Sequence, residues 1–131
     1  MAYKTLSLAI AAAFTMGTSP AQAQDPAALT IDNSILCAGL FFAHSQLPEN
    51  ASYPEGVEAY RELTGTFMRR AEILSERQGL ETDTIIERIA AVTTTLIEMV
   101  DAAEGDLARM EVISSWDGAE DECLAGGQRP V

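Results

Sequence analysis

The sequence predicts an all-α fold, a small up-down bundle of about four antiparallel helices closed by one disulfide. Three observations predict it. Apolar residues recur at steps of three and four, the period of one helix face, while strand-like alternation is nearly absent. Glycine and proline interrupt the chain at few places beyond position 30. Two cysteines, Cys37 and Cys123, stand near the two ends of the helical region.

The first 23 residues read as an address. Lys4 supplies a positive charge, 6–14 a short apolar core, and Ala21-Gln22-Ala23 a small-residue cleavage tail. The apolar core is about half the roughly 20 residues that a spanning helix needs. Cleavage after Ala23 leaves 24–131 as a single helical domain, expected in a periplasm or outside the cell and not spanning the membrane. A lipid anchor is not expected, because Cys37 lies well downstream and follows Leu36. Asn50-Ala51-Ser52 matches the glycosylation pattern, which matters only in a secretory eukaryote.

The first helix is expected over about 32–47. Thr30 or Asp32 caps it, Ile35, Leu36, Leu40, Ala43, His44 and Leu47 form its stripe, Phe41 and Phe42 widen it, and Pro48 ends it. The second is expected over about 54–78, with Ser52 as cap and Pro54 in the first turn. Val57, Tyr60, Leu63, Phe67, Ala71 and Leu74 share its inner face, while Arg61, Glu62, Arg69, Glu72 and Glu76 face water. Gly65 reads as a place where Phe41 or Phe42 comes close, and Gly79 as the stop.

The third helix is expected over about 83–103, capped by Thr82 and striped by Ile85, Ile89, Val92, Leu96, Met99 and Ala103. Thr93-Thr94-Thr95 disfavours an isolated helix, so packing must hold it. The fourth is expected over about 106–125, with Leu107, Met110, Ile113 and Trp116 in line. Gly118 is positioned to kink or split it, and Gly126-Gly127 to close it. The alternative is three helices, the last running through Glu104-Gly105. A helix of about 40 residues extends roughly 60 Å, which a chain this small does not cover, so a turn is favoured. The tails 24–28 and 126–131 read as loose.

Two cysteines in an exported chain of this size are expected to pair. In an up-down order the first and last helices are antiparallel neighbours. Cys37, early in the first, then lies level with Cys123, late in the last. Their bond closes a loop for which chain entropy gives at most about 4–5 kcal/mol.

The chain carries 20 Asp and Glu against 8 Lys and Arg, and loss of Lys4 moves its formal charge from −12 to −13. This opposes binding to nucleic acid or anionic lipid, whose phosphates need cations. It favours a basic partner or a cation. Arg69-Arg70, among Glu62, Glu72 and Glu76, reads as a solvated face.

His44 is the sole histidine and reads as a partly buried, hydrogen-bonded core residue. As a ligand it needs a partner, for which Met68, Met99 and Met110 are the candidates. In length and helix class the chain resembles small exported bundles that hold haem between a histidine and a methionine. No C-x-x-C-H occurs, and no cofactor is expected. Asp117, Glu120, Asp121 and Glu122 have helical spacings that allow a shared cation, but they do not match the twelve-residue calcium loop. They read as a solvated face with no metal. Placed late in the fourth helix they oppose its dipole, a strain for a cation, Arg129 or a partner to relieve.

No nucleophile elbow, thioredoxin-type C-x-x-C or phosphate-binding glycine loop occurs, so no enzyme is expected. The expected function is an exported, non-catalytic helical interaction module: an accessory, inhibitor or immunity-type, or regulatory protein. Its partner is expected to be another periplasmic or secreted protein, with a homodimer as a further possibility. One alternative is an acid-responsive periplasmic holdase chaperone. The chain resembles small helical periplasmic acid chaperones in size, compartment and single distant disulfide. Near pH 2, roughly, carboxylates protonate and the arginines with His44 leave a positive chain prone to open. The other alternative is a haem or metal carrier.

Overall fold

The computed structural model describes residues 28–129. The expected export signal and its expected cleavage site after Ala23 lie outside the described residues. Among those residues the structure is all-helical. It comprises α1 (Ile31–Gln46), a 3-10 turn (Pro48–Asn50), α2 (Pro54–Gln78), α3 (Thr82–Ala102), α4 (Asp106–Ser114) and α5 (Asp117–Gly127).

Local chemistry sets the ends. Thr30 Oγ1 accepts from the Asn33 N–H at 3.2 Å, which satisfies one free donor of α1. Leu47 caps the end of α1, and Pro48 then starts the 3-10 turn. Pro54 occupies the first turn of α2, but Tyr53 rather than Ser52 stands at the cap and contributes no side-chain bond. Gly79 ends α2 at φ +73°, while the Leu80 N–H returns to the Ser75 carbonyl at 3.0 Å. Thr82 is the first residue of α3, and Glu81 precedes it as the cap. Ala103 leaves the helix with ψ 130°, and Gly105 takes φ +88°. That left-handed turn rules out the single long C-terminal helix.

α1 is the axis. His44 and Phe41 stack on Tyr60 and Phe67 of α2, so those two helices run antiparallel. Asp32 pairs with Arg88, and Gly39 meets Val92, so α1 and α3 run parallel. Cys37 bonds to Cys123, and His44 meets Glu120, so α5 runs antiparallel to α1. The order is up, down, up, down. Phe41, Phe67, Ile85 and Val100 are among the fully buried side chains, each contributing about 1.5–3 kcal/mol by leaving water.

Several details depart from the sequence reading. The fourth helix breaks at Ser115-Trp116, before Gly118, into α4 and α5. Leu107 is 77% exposed and Met110 is half-exposed, so the first half of the expected stripe faces outward; Ile113 and Trp116 alone of the four are buried. Met99 is also half-exposed, and Val100 takes the core position in its place.

Close approach occurs at Gly39, not Gly65. A Cβ on Gly39 would lie 2.5 Å from Val92 Cγ1, whereas Gly65 faces open space. The contact brings Thr93 against α1. Its hydroxyl lies 3.2 Å from the Gly39 carbonyl and 3.0 Å from that of Ile89. This packing offsets the poor helix propensity of the threonine run.

Gly126 and Gly127 continue α5 instead of stopping it, and they are not a loose tail. A Cβ on Gly126 would lie 2.6 Å from Leu29 Cδ2, and one on Gly127 2.9 Å from Phe67 Cε1. Arg109 ties α4 to its neighbours. It reaches Glu49 in the 3-10 turn at 2.9 Å and Asp101 in α3 at 3.0 Å. Those two carboxylates, Glu49 first, push the guanidinium further toward its charged form.

Candidate functional site

Two features stand out once the helices are placed: a polar cluster inside the bundle and an apolar groove outside it.

The cluster joins the first and last helices. His44 sits in the last turn of α1 and is buried. Its Nδ1 lies 2.6 Å from Glu120 Oε1. The imidazole stacks on Tyr60, with ring centres 4.3 Å apart and planes at 10°, and meets the edge of Trp116 at 5.6 Å. The Asn50 side-chain amide donates to the His44 carbonyl at 2.9 Å. The Tyr60 phenol is pushed above its ordinary pKa of 10.0 by burial first, then by the charges of Glu120 and Asp117. His44 is thus the hydrogen-bonded core residue that its setting in the apolar stripe suggested.

The break at Trp116 decides the fate of the acidic run. Asp117 and Glu120 lie in the first turn of α5, where negative charge suits the helix dipole. The expected dipole strain is therefore absent, because the residues begin a helix instead of finishing one. Glu120 turns inward to His44, while Asp117, Asp121 and Glu122 remain exposed. Among the described residues, no group of three or more His, Cys, Asp and Glu side chains converges to hold a metal ion. Of the three methionines considered as partners for His44, Met68 packs partly buried against the core, and Met99 and Met110 are half-exposed.

The disulfide joins Cys37 to Cys123 with Cα atoms 5.8 Å apart, one to two turns from the His44–Glu120 contact along each helix. Together the two links fix α5 to α1.

The groove lies where α3 and α5 flank α1 without closing over it. Leu36, expected in the core, is 47% exposed at its centre. On the α3 side, Leu36, Ala91, Val92, Thr95 and Leu96 line a hollow of about 280 Å³. On the α5 side a smaller hollow of about 100 Å³ includes Leu29, Asn33, Leu40, Ala119 and Glu122, and again Leu36. Sequence pattern alone gives no sign of this opening, since Leu36 keeps the helical period of its neighbours.

Arg70 is the other departure. It is 7% exposed, not part of a solvated face. Its position three residues after Phe67 and four before Leu74 carries that signal, because such spacing places it on the inner face.

Among the described residues no helix is long and apolar enough to cross a membrane. Comparison with protein-family models, curated proteins and solved structures finds no match.

Proposed function

We propose that the protein is an exported, non-catalytic interaction module whose Leu36 groove receives an apolar helix of another protein, flanked by Lys and Arg. The observation that carries this reading is Leu36, half-exposed where two hollows lined mostly by apolar side chains meet. An amphipathic helix laid in an apolar groove is a recurring mode of peptide recognition. Charge selects the occupant. The acidic chain repels a second copy of itself and attracts a basic segment, and Glu122 stands on the groove wall to meet it. Export is supported by the signal-like N-terminus and by the disulfide, which persists in oxidising compartments. The absence of a catalytic role is supported by the sole histidine being enclosed between Tyr60 and Glu120.

The test uses a labelled helical peptide with a leucine face and lysine flanks, read by fluorescence anisotropy. The same peptide with glutamate flanks is the control. The lysine form binds the native chain, and more weakly at higher salt. Leu36→Asp weakens it about tenfold or more, roughly 1.4 kcal/mol, with the thermal midpoint retained. Equal binding of both peptides, or of native chain and variant, overturns the reading. Self-association in sedimentation, abolished by Leu36→Asp, assigns the groove to a second copy and also overturns it.

A second reading, an acid-responsive holdase, is favoured by the buried His44–Glu120 contact. Breaking this contact in acid frees the first turn of α5. Release of α5 then exposes core, while the disulfide limits expansion. Suppression of client aggregation at about pH 2, absent at neutral pH, supports it. Clients that aggregate equally with and without the protein remove it.

A further inference from the structure

Arg70 Nη1 donates to the Gly127 carbonyl at 3.3 Å. Its Nε and Nη2 are buried and have no hydrogen-bond partner among the described residues. These two nitrogens form the side edge of the guanidinium, whose parallel N–H bonds match the two oxygens of one carboxylate. The edge is held ready: Gly127 fixes the opposite corner, and Phe67, one turn earlier on α2, packs against Gly127. A buried cation without a counter-charge is unfavourable until an anion meets it.

The surroundings sit at the end of the bundle where α1 begins and α5 ends. Gly127 lies one turn beyond Cys123, and Ser34 one turn before Cys37, so the disulfide brings both to this end. Ser34 Oγ is likewise buried and without a partner among the described residues. Leu29 rests against Gly126, beside the carbonyl that Arg70 holds.

We propose that the Nε–Nη2 edge of Arg70 is the receptor for a single carboxylate. Two sources share this chemistry. One is Asp25, which lies outside the described residues and is the only acidic residue before Asp32. It precedes Leu29 by four positions, a span of at most about 14 Å. The other is a carboxylate supplied from solution. The proposal is independent of the Leu36 groove.

The experiment follows the thermal midpoint of the full exported chain with sodium acetate titrated against sodium chloride at matched ionic strength. Native protein, Asp25→Asn, Arg70→Lys and Arg70→Met are compared. With a carboxylate from solution, acetate raises the native midpoint saturably, by roughly 4 °C or more beyond chloride, and both Arg70 variants lose the excess. With Asp25 as the source, the native chain ignores acetate, while Asp25→Asn melts lower and recovers in acetate. Asp25→Asn combined with Arg70→Met then lowers the midpoint by less than the sum of the single changes. If neither native chain nor Asp25→Asn responds to acetate beyond chloride, and the two changes add, the proposal is overturned.

Discussion

His44 and Glu120 stand 76 positions apart in the sequence and 2.6 Å apart in the fold. The contact ties the last turn of α1 to the first turn of α5, under the rings of Tyr60 and Trp116. Removing one member of a buried pair leaves the other polar group stranded, at about 3–5 kcal/mol. Glu120→Ala is therefore expected to lose that much in urea unfolding. The double change His44→Phe, Glu120→Leu is expected to lose less than the two single changes together. Strict additivity would show that the contact does not couple the helices.

The disulfide supplies a second tie between the same two helices. Paired Cys37→Ser and Cys123→Ser substitutions are expected to lower stability by up to about 4–5 kcal/mol, read as a shift in the denaturant midpoint. Intact mass should rise by two hydrogens on reduction of the native chain. Two free thiols in a fully folded native sample would contradict the pairing.

Tyr60 sets an alkaline limit. Burial and the charges of Glu120 and Asp117 raise its phenol above 10.0. The folded chain thus holds this proton more tightly than the unfolded chain does. The contribution is complete below the unfolded value and is lost as pH rises through the folded one. Native protein is expected to lose stability above about pH 10, and Tyr60→Phe is expected to flatten that decline. Superimposable alkaline profiles would count against it.

Two glycines on neighbouring helices are expected to respond with opposite signs. Gly39→Ala forces Val92 or the α1–α3 spacing to move, at about 1–3 kcal/mol of lost stability. Gly65→Ala meets open space in mid-helix and is expected to add about 0.5–1 kcal/mol. Thermal or urea unfolding of the two variants checks both signs.

Helix period, the prolines at 48 and 54 and the glycine at 79 were enough to locate the rods, since capping and backbone conformation act within a few residues of sequence. The turn at Gly105 was also legible, through the length that an uninterrupted helix would demand. The break at Ser115-Trp116 was only half legible: Gly118 marked a weak region, but the site of fracture follows from Trp116 entering the core. The inward turn of Arg70 and the outward turns of Leu36, Leu107 and Met110 depend on which neighbouring helix covers each stripe.

By itself the sequence determined the helical class, the acidity and the pairing of Cys37 with Cys123, because composition and periodicity are local quantities and only two thiols are present. Tertiary structure alone decided that Glu120 answers His44, that Gly39 lets α3 close on α1, and that Leu36 stays open while Arg70 is enclosed. Those outcomes depend on how rods of similar period share one another's surfaces, and an apolar stripe specifies a buried side without naming what buries it.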